Sequence, residues 1–385
     1  MNIRKVTEME LGWKEHFIKQ GNGKGGWDVR EAEYQMLQHP DSEWTPPFGL
    51  AKMDNGELIL MASHRCEDGK ERTAYCFSSD SGDTWSEFQM IPGAEASRPI
   101  MLACLGGGVL RFISDKRYWS SDYGRTWTET MPSDMGFEGS PLVDYDNNGC
   151  AVRIAEIGYR GLPEKGWPEG AFNAVFRWSD DGGRTFRDVI SPDEWRYTET
   201  FDGVSYERGA SEGSVVRARN GWIVAALRTD MPVRYFVPYL ELEGKGEYVH
   251  YDDSLEGTGV SVSKDDGKTW SSVQVLFEAG RHHAHLLTMP NGDIVMTMTV
   301  RDDVRDGKLA SYRRGCDALI SKDNGLTWNL DKRIILDEYE FYDGKKWFNG
   351  ECGHLYSALL DDGRVITAHA NYLTKGASLI SWSPE

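Results

Sequence analysis

The stretch SSDSGDTW (residues 78–85) is the first of five copies of one motif, Ser-x-Asp-x-Gly-x-Thr-aromatic. The others are SSDYGRTW (120–127), SDDGGRTF (179–186), SKDDGKTW (263–270) and SKDNGLTW (321–328). Each follows a short β-prone run, such as Tyr75-Cys76-Phe77 or Ala318-Leu319-Ile320, and each resumes as a strand after its aromatic. The chemistry is that of a locked hairpin turn. Asp and Ser side chains hydrogen-bond turn amides, Gly accepts a positive φ, and the aromatic tucks beneath. A unit that recurs in this way decides architecture before any local assignment does.

A second repeat runs in phase with the first. It is an apolar strand, a turn ending in Asn-Gly or Asp-Gly, and a returning strand, a strong hairpin signal. The clearest copies are SEGSVVRARNGWIVAAL, HHAHLLTMPNGDIVMTM and GHLYSALLDDGRVITAH, whose turn glycines Gly221, Gly292 and Gly363 are spaced 71 residues apart. Weaker copies surround Gly56, Gly107 and Gly149. Each unit thus reads strand, tight turn, strand, loop, strand, aspartate turn, strand. Six such units predict an all-β chain, a single six-bladed β-propeller domain over 1–385. The blades fall near 45–95, 96–135, 136–195, 205–280, 281–338 and 352–385. The last unit lacks its fourth strand, and GWKEHFIKQG near the N-terminus is expected to supply it and remove the exposed edge. The inserts at 156–175, 192–208, 231–256 and 337–351 read as loops, with aromatics such as Trp167, Trp195, Tyr197, Tyr235 and Trp347 that either rim the mouth or pack on the disc.

Composition narrows the function. The 385 residues carry a formal charge of −18 with no basic run, which disfavours nucleic acid and anionic membrane as partners. No apolar stretch is long enough to span a bilayer. The opening MNIRKVTEMELGWKEHF has no apolar leader core, so a cytoplasmic location is expected, or a secreted one if a leader has been removed. The sequence is silent on oligomeric state. No cofactor is expected. The six cysteines, Cys66, Cys76, Cys104, Cys150, Cys316 and Cys352, have no CxxC spacing and read as free thiols. In GRHHAHLL, strand alternation puts His283 and His285 on one face and His282 on the other, so no metal site is expected there.

In a propeller the start of each first strand and the end of each second strand converge at one mouth. Nine residues before each turn glycine stand Pro47, Arg98, Ser140, Glu212, His283 and His354. Two residues on, facing the same way, lie Ser214, His285 and Tyr356, and at the returning ends lie Arg65, Arg228, Arg301 and His369. Charged groups are rarely buried without partners. The set reads either as solvated lining of an aqueous tunnel or as a ligand pocket, with Arg for an anionic or polyhydroxyl ligand and Glu, His and Tyr for acid–base work.

With five such turns on a six-bladed propeller, the chain resembles the sialidase superfamily along nearly its whole length, and ERGASEGSVVRARNGWIVAALRTD is the more specific match. The resemblance implies an exo-acting glycoside hydrolase that removes a terminal, acidic sugar from a glycan. It gives Glu212 the role of activating a Tyr nucleophile, for which Tyr356 is the candidate, and Arg228 that of gripping a carboxylate. Arg313 or Arg314 would add a second guanidinium, with Arg98, Arg65 and His285 completing substrate binding and His283 and His354 the pocket. The chain departs from the family on the first inner strand, where TPPFGL replaces the usual Arg-Ile-Pro, and in the acid/base loop, where only Glu67, Asp68 and Glu71 are at hand. Arabinan-cutting hydrolases of the same superfamily resemble it too, with Glu138 and Glu212 as the paired carboxylates. A propeller lyase using His and Tyr against a uronate and a non-catalytic glycan- or protein-binding propeller remain as alternatives.

Overall fold

The computed structural model describes residues 12–65, 70–91, 99–160, 171–234, 256–305, 308–340 and 354–385. In it each aspartate motif is a closed hydrogen-bonded turn. At 263–270, Ser263 Oγ donates to Asp265 Oδ1 (2.9 Å) and accepts from the Gly267 amide (2.8 Å). Asp265 in turn accepts from the Thr269 amide (2.9 Å) and hydroxyl (2.6 Å), and Trp270 Nε1 donates to the Gly267 carbonyl (3.1 Å). The residue before the glycine takes a positive φ in all five copies (Ser81, Tyr123, Gly182, Asp266 and Asn324), where the locked side chains hold a conformation that most residues avoid.

Among the described residues the strands group into six four-stranded antiparallel meanders, and the aspartate turns join the third and fourth strands of the first five. The first comprises Pro47–Lys52, Leu58–Arg65, Glu71–Ser78 and Gln89–Met90, and the second Met101–Gly106, Val109–Ile113, Lys116–Ser120 and Glu129–Pro132. The third is Leu142–Tyr145, Ala151–Arg160, Asn173–Ser179 and Arg187–Ile190, and the fourth Ala210–Arg217, Ile223–Thr229, Gly257–Ser263 and Gln274–Phe277. The fifth is Arg281–Thr288, Ile294–Val300, Arg313–Ser321 and Ile334–Glu340. The sixth takes Leu355–Leu359, Val365–Asn371 and Gly376–Trp382 from the C-terminal end and Trp27–Leu37 from the N-terminal end. The six first strands neighbour one another in cyclic order, the sixth returning to the first. The interior between sheets is apolar and aromatic, as where Phe176 and Trp195 both pack on Trp270, at ring separations of 5.1 and 5.0 Å.

The closing strand differs from the one expected. GWKEHFIKQG does not fill the open slot of the last meander; Trp27–Leu37 does, pairing Glu33 with Ser381 and Leu37 with Ala377. Lys14–Gly21 folds back on it and reaches Ile334 and Ile335 of the fifth meander through Gln20 and Lys19. The hairpin therefore stitches two meanders into one nine-stranded sheet, covering two edges where a single strand would cover one. The insert at 192–208 is likewise not plain loop. It carries the hairpin Tyr197–Phe201 and Val204–Arg208, with Trp195 buried at its base. Cys76, Cys104, Cys150 and Cys316 are free thiols; Cys66 and Cys352 lie outside the described residues.

The turn aspartates make stability depend on acid. At Asp181 partial burial opposes the charge, yet hydrogen bonds from Thr185, Ser179 and the Arg184 amide hold the carboxyl down at about 2. Asp80, Asp122, Asp265 and Asp323 are lowered in the same direction, with Thr and Ser hydrogen bonds outweighing burial. A carboxyl depressed in the folded state contributes stability above its unfolded pKa, near 4, and loses it as pH falls through the folded value. Urea midpoints should therefore drop steeply between about pH 4 and 2. Replacing Asp265 by Ala should cost about 1–2 kcal/mol at neutral pH and flatten that acid dependence, both read from denaturation curves.

Candidate active site

The mouth of the ring is built where several first strands lose their regular register. In the fourth meander partners jump from Ala210↔Thr229 to Gly213↔Leu227, in the fifth from Arg281–His282 to His285, and in the first from Pro47 to Gly49. Each of these bulges turns an additional side chain toward the axis, as bulges do beside functional sites. They deliver Glu212, His283 and Phe48. His354 enters just ahead of Leu355–Leu359, and Glu138 just ahead of Leu142–Tyr145.

These residues meet in one recess lined by Glu138, Glu212, His283, His354 and Tyr356. His283 Nδ1 lies 2.9 Å from Glu212 Oε2 and 3.6 Å from Glu138 Oε2. His354 Nε2 lies 3.5 Å from the same Glu138 oxygen, and its ring packs edge-on to His283 at 4.4 Å and against Phe48 at 4.6 Å. Arg228 Nη1 contacts Glu212 Oε1 at 2.9 Å, while its Nε donates to Ser211 Oγ (3.0 Å) and pairs with Glu256. Because both carboxylates reach one imidazole nitrogen, their Oε2 atoms lie within about 6.5 Å of each other, inside or at the edge of the range for paired glycosidase carboxylates. Glycines permit this approach. A Cβ on Gly139 would sit 2.3 Å from the Gly213 carbonyl oxygen, and one on Gly213 would sit 2.8 Å from Ile157.

The expected residues divide between this recess and other places. Glu212, Arg228, His283, His354 and Glu138 come together. Tyr356 lines the recess, yet it is 2 % exposed and its hydroxyl donates to the Ile100 carbonyl (2.9 Å), so the ring spans from the sixth meander to the second. His285 does not share the recess with His283 as alternation predicted. It is buried against Tyr356, and burial lowers its pKa to about 3. His282, expected on the opposite face, is brought by the bulge into the neighbourhood of Glu212 and His283. Its ring is fully buried and pushed well below the usual imidazole range by burial and by the adjoining His283, Arg301 and Arg228. Arg65 extends to Glu71 (2.9 Å) and over Trp44 and is not among the residues lining the recess. Arg314 is buried near Asp302, 3.9 Å away, and Arg313 is held by Asp317 and Glu338 within its own meander. His369 lies 2.9 Å from Asp337 of the fifth meander and is not among the residues lining the recess. Arg98, Glu67 and Asp68 lie outside the described residues, as do Trp167, Tyr235 and Trp347.

Counting from turn glycines selected Ser140 instead of Glu138, because the third hairpin carries two more residues than the fourth. A tripeptide repeat marks the equivalence directly: Glu138-Gly139-Ser140 matches Glu212-Gly213-Ser214. The donor atoms of Glu138, His283 and His354 lie within 4.8 Å of one another, as do those of Glu212, His282 and His283. Any cation there would face the guanidinium charge of Arg228, which already engages Glu212 and Glu256.

No known protein family matches the chain by sequence, and no curated protein does. Solved structures do match in shape. A Dyadobacter fermentans protein of unknown function aligns at TM-score 0.63 and 17 % identity, covering 91 % of this chain and 98 % of that one. A Hadza microbial sialidase aligns at TM-score 0.57 and 14 % identity, over 93 % of this chain and 70 % of its own. A Penicillium chrysogenum α-L-arabinanase solved with arabinobiose aligns at TM-score 0.52 and 12 % identity, over 96 % and 97 %. At these identities the likeness is one of fold: the chain has an all-β propeller fold.

The pairing of Arg228 with Glu212 and Glu256 is almost wholly buried, so breaking it leaves uncompensated charge. Arg228→Met should destabilise the fold by about 3–5 kcal/mol, measured by urea denaturation. The double change with Glu256→Gln should recover part of that loss.

Proposed function

We propose that the chain is a six-bladed β-propeller glycoside hydrolase that releases a terminal, neutral sugar from a glycan with two carboxylates and retention of configuration. The observation that carries this reading is the convergence of Glu138 and Glu212 on His283 Nδ1, at 3.6 and 2.9 Å. Glu212, in contact with Arg228 and His283, is held as a carboxylate and serves as nucleophile. Glu138 faces two imidazoles, His283 and His354, and serves as acid/base. In the first step Glu138 donates its proton to the glycosidic oxygen as Glu212 attacks the anomeric carbon and the remainder of the glycan departs. In the second, Glu138 takes a proton from water, and the resulting hydroxide releases the sugar from Glu212.

Two observations favour this over sialidase chemistry. The candidate nucleophile Tyr356 is engaged with the Ile100 carbonyl. The guanidinium groups of Arg65 and Arg314 are directed to Glu71 and Asp302, leaving Arg228 as the one of the four expected substrate arginines that the described residues bring to the recess. The facing imidazoles of His283 and His354 support one second reading, a lyase that abstracts a proton beside a uronate.

Glu212→Gln and Glu138→Gln should each lower kcat at least about a hundredfold on the substrate found, with arabinan and sialyl oligosaccharides in the first panel. Glu138→Gln should be the milder of the two on substrates whose leaving group needs no proton. Full activity in both variants overturns the reading. An unsaturated, ultraviolet-absorbing product identifies the lyase, and glycan affinity without turnover a binding module.

A further inference from the structure

Arg301 follows directly on Ile294–Val300, and its Nη2 lies 3.4 Å from His283 Nε2. A guanidinium can only donate, so in this contact Nε2 accepts and cannot carry the ring proton. A neutral imidazole with Nε2 unprotonated has its proton on Nδ1, the nitrogen that lies 2.9 Å from Glu212 and 3.6 Å from Glu138. We propose that Arg301 is a positioning residue that fixes His283 as the Nδ1–H tautomer and thereby places its proton-bearing nitrogen beside the two carboxylates. The proposal rests on the two-carboxylate reading for its consequence, though not for its geometry.

The backbone supports it. His283 sits at φ +51°, a conformation rare for a residue with a side chain, in the bulge between His282 and His285. Such strain persists where surrounding structure enforces it, commonly at functional sites. Here the bulge keeps the ring between the carboxylates and Arg301. The charged and titratable groups around it are Glu138, Glu212 and His354 on the recess side, His282 beside it, Arg301 at Nε2 and Arg228 behind Glu212.

The chemistry gives a shared donor a purpose. Before the first step the negative charge resides on Glu212 and the proton on Glu138. After it, Glu212 is a neutral ester and Glu138 is the carboxylate. The positive end of one N–H dipole, with Nδ1 2.9 Å from Glu212 Oε2 and 3.6 Å from Glu138 Oε2, favours whichever group carries the charge, with no net proton leaving His283. The opposite tautomer would present a lone pair to both carboxylates and oppose each charged state in turn.

The test needs no substrate. In the intact protein labelled with ¹⁵N-histidine, at a pH where His283 is neutral, long-range ¹H–¹⁵N correlation reports the tautomer, with the signal assigned by its loss in His283→Gln. The expected result is a protonated Nδ1 in the unaltered protein and a shift toward Nε2–H in Arg301→Met. With a substrate in hand, Arg301→Met should lose about ten- to a hundredfold in kcat with a displaced pH profile and little change in KM, and Arg301→Lys, which keeps a donor, should recover most of it. An Nε2–H ring in the unaltered protein, or a stoichiometric metal ion bound at Nδ1, overturns the proposal, and so does a tautomer that Arg301→Met leaves unchanged. If Arg301→Met does not fold, the tautomer of the unaltered protein decides alone. Full activity in Glu138→Gln and Glu212→Gln would instead remove the hydrolase reading and leave the tautomer result standing.

Discussion

Closure of the ring is the constraint on which the recess depends. Glu138, Glu212, His283 and His354 stand on four successive meanders, and Phe48 stands on the first. Each meander alone is a small sheet with apolar faces that it cannot bury by itself. Bringing five of them to one point requires the sixth to meet the first, and the strand that completes the sixth, Trp27–Leu37, comes from the other end of the chain. Its pairing with Gly376–Trp382 and the return of Lys14–Gly21 to the fifth meander fix the angular spacing of the inner strands. The aspartate turns act at the periphery, where they hold the third and fourth strands of the first five meanders in register.

Within that frame the recess is assembled by local departures from regularity. A flat first strand would project alternate side chains along the axis and leave successive meanders too far apart for carboxylates to share a partner. Bulges at Pro47–Gly49, Ala210–Gly213 and His282–His285 add a residue at the mouth, and Gly139 and Gly213 let the third and fourth meanders approach closely. The cost of collecting charge out of water is met by pairing. Glu212 meets both Arg228 and His283, and the buried arginines elsewhere, such as Arg111 and Arg281, each have carboxylates at 2.8–3.0 Å.

Much of this was legible in the sequence because it rests on repetition. The five aspartate motifs and the in-phase glycine turns give the strand order, and the register they impose picks out Glu212, His283 and His354 at equivalent places. What escaped depends on single-residue irregularities. Counting back from Gly149 lands on Ser140 since the third hairpin is longer, so Glu138 entered through the resemblance to arabinan-cutting hydrolases and not through the register. Alternation misplaces His282 and His285 because the bulge between them shifts the phase. Arg65 and Arg314 occupy the anticipated strand ends, yet acidic neighbours, Glu71 and Asp302, draw them elsewhere, and no periodic pattern encodes which of two nearby carboxylates a guanidinium selects. The N-terminal strand was anticipated in kind but not in place, because GWKEHFIKQG and WDVREAEYQML are equally strand-like.

The closing hairpin also shapes the order in which the molecule can assemble. Tyr34 and Ser378, joined by a hydroxyl–hydroxyl hydrogen bond, are 344 residues apart in the chain. The other meanders are built from neighbours in sequence and can form as they emerge during synthesis, whereas this one needs a contact between segments 344 residues apart. The segment that leaves the ribosome early is therefore among the last to find its partner, and until it does the strands Gly376–Trp382 and Ile334–Glu340 present open edges. Assembly of the recess is thus tied to a very long-range pairing, so it is completed together with the covering of those edges.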